Sequence, residues 1–369
     1  MKSSPINRKV GRLPGHIVSS GLLLWAFAIL ACLFQSPVLA QQEPQFTSYM
    51  FNTLVYNPAY AGSRDFMSAV AVYRDQWHGW GGDGANDGRP VTQSFSLHSP
   101  VNRRVGLGLN FVNDRIGARN TTMANAVYAY RIGFGQGTLS LGMQAGFMNW
   151  RADWDKLSFK DARELDNAFN GANPSLWLPD FGAGVFYYTE KFYAGASIPH
   201  LAQFSLRSLS PAESGVVRKW AKNYRHLYIT SGGAIPLKGD ALVLRPSFLI
   251  KSVGFFNEFF KQGSLVREIG GPAMFDADLS LFFQRKLWLG ASFRSAFAAF
   301  SQSSPGQVRS GHDALSLWSA FYLKNGLRIG MAYDYPLGAL APYTVGSFEL
   351  MLGYEFVRGV DKAYHPRYF

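Results

Sequence analysis

The chain has 369 residues, of which 15% are aromatic and only 16% charged, and its net charge is +12. That basic excess is scattered, and no block of about five or six like charges marks a nucleic-acid-binding tail. The lone cysteine, Cys32, excludes a disulfide framework and a thiolate metal site.

Residues 1–40 read as a signal peptide. Lys2, Arg8, Lys9 and Arg12 form a basic start, an apolar run follows from Gly21 to Phe34, and Val38-Leu39-Ala40 supplies the small residues for cleavage before Gln41. The apolar run is shorter than the ~20 residues of a membrane-spanning helix, which argues against an uncleaved anchor. Ile29-Leu30-Ala31-Cys32 resembles a lipoprotein box only faintly, because Leu30 fits it poorly. Removing the four basic residues of the leader takes the charge from +12 to about +8.

Residues 41–65 are dense in aromatics and asparagine without clean periodicity. With Phe46, Tyr49, Met50, Phe51, Tyr56 and Tyr60 the segment is too apolar to hang in water. It precedes the first strand, so it is expected to start on the periplasmic side and then to pack in a lumen or bind a partner. Asn57-Pro58 and Ala61-Gly62 would shape its turns.

From Phe66 the pattern changes to period two, the signature of a strand whose side chains alternate between faces. Val105, Leu107, Leu109 and Phe111 alternate with Gly106, Gly108, Asn110 and Val112, and Phe348, Leu350, Leu352, Tyr354 and Phe356 alternate with Ser347, Glu349, Met351, Gly353 and Glu355. The pattern predicts about fourteen strands: Phe66–Trp77, Val91–His98, Val105–Asp114, Met123–Ile132, Thr138–Met148, Phe181–Thr189, Phe192–Ile198, Arg225–Ile235, Ala241–Val253, Met274–Phe283, Leu287–Phe297, Ala314–Leu323, Leu327–Tyr335 and Ser347–Val357. Pro246 lacks the ladder donor, so a bulge or a misplaced boundary is expected there.

The connections sort by length. Short turns alternate with longer polar loops at His78–Pro90, Arg115–Thr122, Asn149–Asp180, Pro199–Tyr224, Gly254–Ala273, Ala298–Asp313 and Pro336–Gly346. Antiparallel neighbours put every second connection on one rim. Sorted loops on an even strand count are the outer-membrane pattern, and a soluble sandwich has no reason to show it. The expected fold is therefore all-β: a transmembrane antiparallel up-and-down barrel over residues 66–357, facing outer-membrane lipid, with short periplasmic turns, long outer loops and a periplasmic tail at 358–369. Trp77, Tyr128, Tyr130, Tyr187, Tyr188, Tyr333 and Tyr335 are candidates for the interfacial aromatic girdles.

Chemistry is sparse. No His-Glu-x-x-His spacing occurs, and Gly133–Gly137 lacks the Gly-Lys-Ser/Thr ending of a phosphate loop and reads as a tight turn. His200, His226 and His312 read as surface histidines. Asp153, Asp155, Asp161, Glu164 and Asp166 read as a solvated loop rather than a calcium site. A membrane hydrolase would need Ser, His and an acid converging at one depth. No enzyme activity, cofactor or metal is expected.

The two ends of the chain resemble one known family. The residues are Gln45-Phe46-Thr47-Ser48-Tyr49-Met50-Phe51-Asn52, Asn57-Pro58-Ala59-Tyr60-Ala61-Gly62-Ser63, Tyr73-Arg74-Asp75-Gln76-Trp77, Thr92 to Pro100, Val105 to Leu109 with Asn113-Asp114, Tyr333-Asp334-Tyr335, Glu349 to Tyr354 and the terminal Pro366-Arg367-Tyr368-Phe369. These stretches resemble the PorP/SprF family of Bacteroidetes outer-membrane proteins, specifically in the first and last quarters and diffusely between. The resemblance implies a barrel of the type IX secretion and gliding machinery. It implies export or surface attachment of cargo with C-terminal sorting domains, and partners in the periplasmic ring and a peptidoglycan-linked protein. The candidate contact residues are Tyr49, Phe51, Asn52, Asn57, Pro58, Tyr60, Gly62, Arg74, Gln76, Trp77 and Asp334. For Arg74, Gln76 and Asp334 the reading from residue chemistry is lumen polarity and hydrogen bonding to residues 41–65, ahead of direct cargo contact. A channel for small solutes is the competing function, with a membrane hydrolase third.

Overall fold

Period-two alternation dictates a two-faced sheet, and the computed structural model of this chain closes that sheet on itself. The structure describes residues 43–80, 88–157, 173–203, 225–239, 241–253, 273–297, 312–323, 325–338 and 340–356. The expected signal peptide at 1–40, the expected tail at 358–369, and Asp161, Glu164 and Asp166 lie outside them.

The described strand segments are β1 (Met67–His78), β2 (Val91–Pro100), β3 (Val105–Ile116), β4 (Arg119–Phe134), β5 (Gly137–Ala152), β6 (Ser175–Tyr188), β7 (Phe192–Ile198), β8 (His226–Gly233), β9 (Ile235–Pro236), β10 (Leu242–Val253), β11 (Met274–Phe283), β12 (Leu287–Ala296), β13 (His312–Tyr322), β14 (Leu327–Pro336) and β15 (Gly346–Phe356). Segments β8 and β9 are one strand interrupted at Ala234, so the described barrel has fourteen strands. Each pairs antiparallel with its sequence neighbours, and β1 meets β15, Met67 opposite Phe356 and Tyr73 opposite Leu350, to complete the ring. In hydrocarbon an unpaired backbone edge costs several kcal/mol, so closure is what permits the sheet to sit there.

Burial is inverted relative to a protein folded in water. Leu109, Met143, Leu317, Met331, Leu350 and Leu352 point outward, each more than half exposed. Arg74, Arg245, Arg328, Glu349 and Glu355 are almost completely buried on the inner face. A continuous apolar belt of this extent would be insoluble, whereas acyl chains match it. A soluble sandwich, with its apolar faces packed on each other, is thereby ruled out.

Three expectations need correction. Strands β4, β5 and β6 run well past the predicted Met123–Ile132, Thr138–Met148 and Phe181–Thr189 at their loop ends. A 16-residue strand such as β4 is about 53 Å long, more than a tilted crossing requires. The surplus carries no apolar alternation because it leaves the lipid. It is held instead by polar cross-strand bonds, Asn113 Nδ2 donating to Asn120 Oδ1 at 2.9 Å and to Thr122 Oγ1 at 2.7 Å. As a consequence the expected long loop Arg115–Thr122 is a tight hairpin. Ile116 pairs with Arg119, and Gly117 takes the φ of +55° that a two-residue turn needs.

At Pro246 neither a bulge nor a misplaced boundary occurs. Ser247 opposite Gly232 and Leu244 opposite Ile235 keep one register across it. Ala234 donates to the Lys191 carbonyl on the β7 side. Gly233 therefore turns its peptide groups toward Pro246, where the ring removes a donor and the ladder breaks.

Candidate functional site

Residues 43–65 occupy the lumen. They form two 3-10 turns, Tyr49–Phe51 and Pro58–Tyr60, around a four-residue helix, α1 (Thr53–Tyr56). Phe46, Leu54, Ala59 and Ala61 are at most 1% exposed. The expectation that this segment starts on the periplasmic side is corrected: Glu43 meets His200 at the loop end of the barrel, and the chain runs down the lumen to the turn end just before β1, held by the inner wall along that path.

Near the loop end, Arg74 of β1 lies 2.5 Å from Asp334 of β14 and 3.1 Å from Glu349 of β15. Glu349 accepts the backbone N–H groups of Thr47 (2.8 Å) and Ser48 (2.9 Å), and the Ser48 hydroxyl as well. Thr47 Oγ1 donates to Asp334 at 2.6 Å and accepts from Arg74 at 2.9 Å. Arg294 of β12 donates to the Phe46 carbonyl at 3.3 Å and pairs with Asp276 of β11 at 2.6 Å, and Lys251 of β10 lies 2.7 Å from the same Asp276. Arg74, Arg294 and Lys251 thus face Asp334, Glu349 and Asp276, so the buried charges compensate one another. The backbone of the segment supplies further partners, as buried ions require.

Midway down, the Asn52 amide donates to Ser94 Oγ (3.0 Å) and accepts from Ser96 Oγ (2.8 Å), both on β2. Phe51 meets Trp318 and Trp288 edge-on at 5.3 and 6.4 Å, with the Arg328 guanidinium 4.9 Å from its ring centre. Tyr49 Oη reaches Ser247 Oγ at 3.0 Å, and Tyr56 packs edge-on against Tyr228 at 5.1 Å.

Toward the turn end, Asn57 accepts from Ala59 N (2.9 Å), capping the second 3-10 turn, and donates to Val185 O (3.0 Å). Pro58 and Ala59 lie directly on Gly142 of β5, where a Cβ would stand 2.1 Å from Ala59 N. Gly106 of β3 admits Ala61 in the same way. The small residues alternating with the lipid-facing leucines are therefore the floor on which the lumenal backbone rests. Gly62, at φ +70°, donates to His98 Nδ1 at 3.2 Å and accepts from Arg131. Tyr60 Oη accepts from Arg64, which also pairs with Glu355 at 3.1 Å.

Of the sequence-selected residues, Tyr49, Phe51, Asn52, Asn57, Pro58, Tyr60, Gly62, Arg74 and Asp334 come together along this one interface. Gln76 and Trp77 stand apart from it. Trp77 sits at the loop rim on a register shift between Asp75 and His78, at φ +56°, with its ring edge-on to Trp80 at 5.9 Å. Gln76 is buried, and its backbone N–H donates to the Pro90 carbonyl at 2.9 Å.

Sequence reasoning missed Glu349 and Arg294 as anchors, although alternation on β15 already turned Glu349 inward. His200 and His226, expected on the surface, are each 2% exposed. His200 lies just beyond β7, Nδ1 2.6 Å from Asp180 Oδ1 and Nε2 2.5 Å from Glu43 Oε1. Burial favours its neutral form, but the Glu43 and Asp180 carboxylates outweigh that and raise its pKa to about 10. Glu43 is correspondingly lowered, burial working against the shift and the His200 cation for it. His312 is exposed, as expected.

A closed antiparallel cylinder with an apolar belt, a charged inner wall and its own chain start lodged inside is a β-barrel of the outer-membrane kind. The profile described as "Type IX secretion system membrane protein PorP/SprF" matches residues 38–354, and the chain belongs to that family. Its location is the outer membrane. No curated protein matches the chain. Among solved structures it is similar to a FadL homologue from Pseudomonas aeruginosa, with 13% identity over 85% of this chain and 95% of that one and a TM-score of 0.44. It is also similar to the deltaS2 mutant of the TodX monoaromatic hydrocarbon channel, at 11% identity, 82% and 93% coverage and TM-score 0.40. A third likeness is to BamA from Haemophilus ducreyi lacking POTRA domains 1–3, at 12%, 79% and 71%, and 0.39.

Proposed function

We propose that this barrel is a non-enzymatic accessory of type IX secretion. It supports export or surface attachment of cargo carrying C-terminal sorting domains, together with the periplasmic ring and a peptidoglycan-linked protein. The observation that carries this reading is the occupied lumen. A solute pore needs a continuous wet path, whereas residues 43–65 bond to the wall at every level. A barrel filled by its own chain works through its rims and loops. The hydrolase reading loses support because Ser295, 3.0 Å from His312, is completely buried and offers no nucleophile to a substrate.

The test is pull-down from native outer membrane combined with conductance in planar bilayers. Co-purification with cargo or periplasmic components, and bilayers that stay closed, are the expected results. Recovery of the barrel alone together with steady open-pore current would replace this reading with the channel.

A further inference from the structure

We propose that Glu43, His200 and His226 form a binding site for one divalent transition ion of the zinc class, fastening the start of the lumenal segment to the loop end of the barrel. One potential ligand atom from each residue lies within 4.8 Å of the other two. Both imidazoles are 2% exposed and meet edge-on at 5.8 Å between ring centres. The Glu43 carboxylate reaches them from the lumenal segment, with 17% of its side chain exposed. Two imidazoles and one carboxylate are the donor set of a three-ligand zinc site whose fourth position takes water. Nitrogen donors in the majority exclude calcium and magnesium.

The surroundings are those of a metal-ligating histidine. Asp180 Oδ1 accepts the hydrogen bond of His200 Nδ1–H at 2.6 Å, leaving Nε2 as the ligand atom. Asp180 is itself fixed through Oδ2 by Asn125 at 2.9 Å and Gln144 at 3.5 Å. A carboxylate behind the ring, itself hydrogen-bonded, sets the tautomer and orientation of ligating histidines. Beside Glu43 and His200 lies a cavity of about 30 Å³ that Asn125, Gln144, Asp180 and Tyr228 also line, enough for an ion's water ligand.

Without metal, a proton bridges His200 Nε2 and Glu43 Oε1 at 2.5 Å. In a tetrahedral site ligand atoms stand about 3.3 Å apart, so Glu43 and His200 separate by under about 1 Å, while the His226 atom, within 4.8 Å of both, closes by up to about 1.5 Å. That proton leaves to solvent, and a dication replaces it between Glu43 and the Asp180-backed ring.

The test uses the full mature chain, purified in detergent without a histidine tag, stripped with chelator and titrated with Zn²⁺ alone. One zinc per chain should bind, with X-ray absorption showing two imidazoles and oxygen at the ion, and thermal unfolding should shift upward. His226→Gln and Glu43→Gln should each weaken binding at least tenfold, whereas His312→Gln should leave it unchanged. Failure of the wild-type chain to retain zinc overturns the proposal, and so does equal zinc affinity in His226→Gln. Either result is independent of whether the barrel serves secretion.

Discussion

Gly142→Ala addresses the lumenal segment through the wall it rests on. A Cβ at that position lies 2.1 Å from Ala59 N and 2.4 Å from both Ala59 Cα and the Pro58 carbonyl carbon. All three are backbone atoms, so no side chain can swing aside. Reaching ordinary contact at 3.4 Å requires the segment to retreat by about 1.3 Å. That movement strains the Asn57 bonds to Ala59 N and Val185 O on either side. Overpacking of this kind costs about 1–3 kcal/mol, a shift of about 5- to 160-fold toward the undocked segment. Gly133→Ala is the matched control, because nothing lies within 4 Å of a Cβ there. In reconstituted barrels, proteolysis within residues 43–65 should accelerate in Gly142→Ala and not in Gly133→Ala, with conductance rising in parallel. Equal cleavage rates in the two variants would mean that Pro58 and Ala59 do not sit on β5.

Three further perturbations probe other parts of the molecule. Leu352→Arg places a charge on a position 52% exposed between Ala71 and Ile329, and should cost about 2–4 kcal/mol near the bilayer midplane in lipid unfolding titrations. A neutral result would mean that this face is not toward lipid. Glu349→Ala strips the acceptor from Thr47 N, Ser48 N and Arg74 at once, and should lower stability by about 3–5 kcal/mol in the same titration. Phe51→Ala should cost about 3–5 kcal/mol and change the fluorescence of Trp288 and Trp318, and an unchanged emission spectrum would refute that packing.

The barrel was legible because lipid imposes a local rule. Phe348, Leu350 and Leu352 must alternate with inward residues within one strand, and a reader needs no distant information to see it. Where the strands leave the lipid the rule lapses, so Arg119–Thr122 looked like loop although it is strand. Lumen contacts are legible only in part. That the aromatic run from Phe46 to Tyr60 needed cover follows from its composition. Its partners do not, because Thr47 and Glu349 are 302 residues apart in the chain. For the same reason His200 looked superficial: nothing near it in sequence announces Glu43, 157 residues away.

The anchors at the two mouths also constrain the order of biogenesis. Arg74 belongs to the first strand, Asp334 and Glu349 to the last two, and Arg64 grips Glu355 beside the same β1–β15 seam. A thread tied at both openings of a finished tube would have to be drawn through it against that dense polar lining. Laying the thread first and zipping the two terminal strands around it avoids the obstacle. In that order residues 43–65 would act as a mandrel, with Thr47 and Ser48 in place on Glu349 before the seam closes.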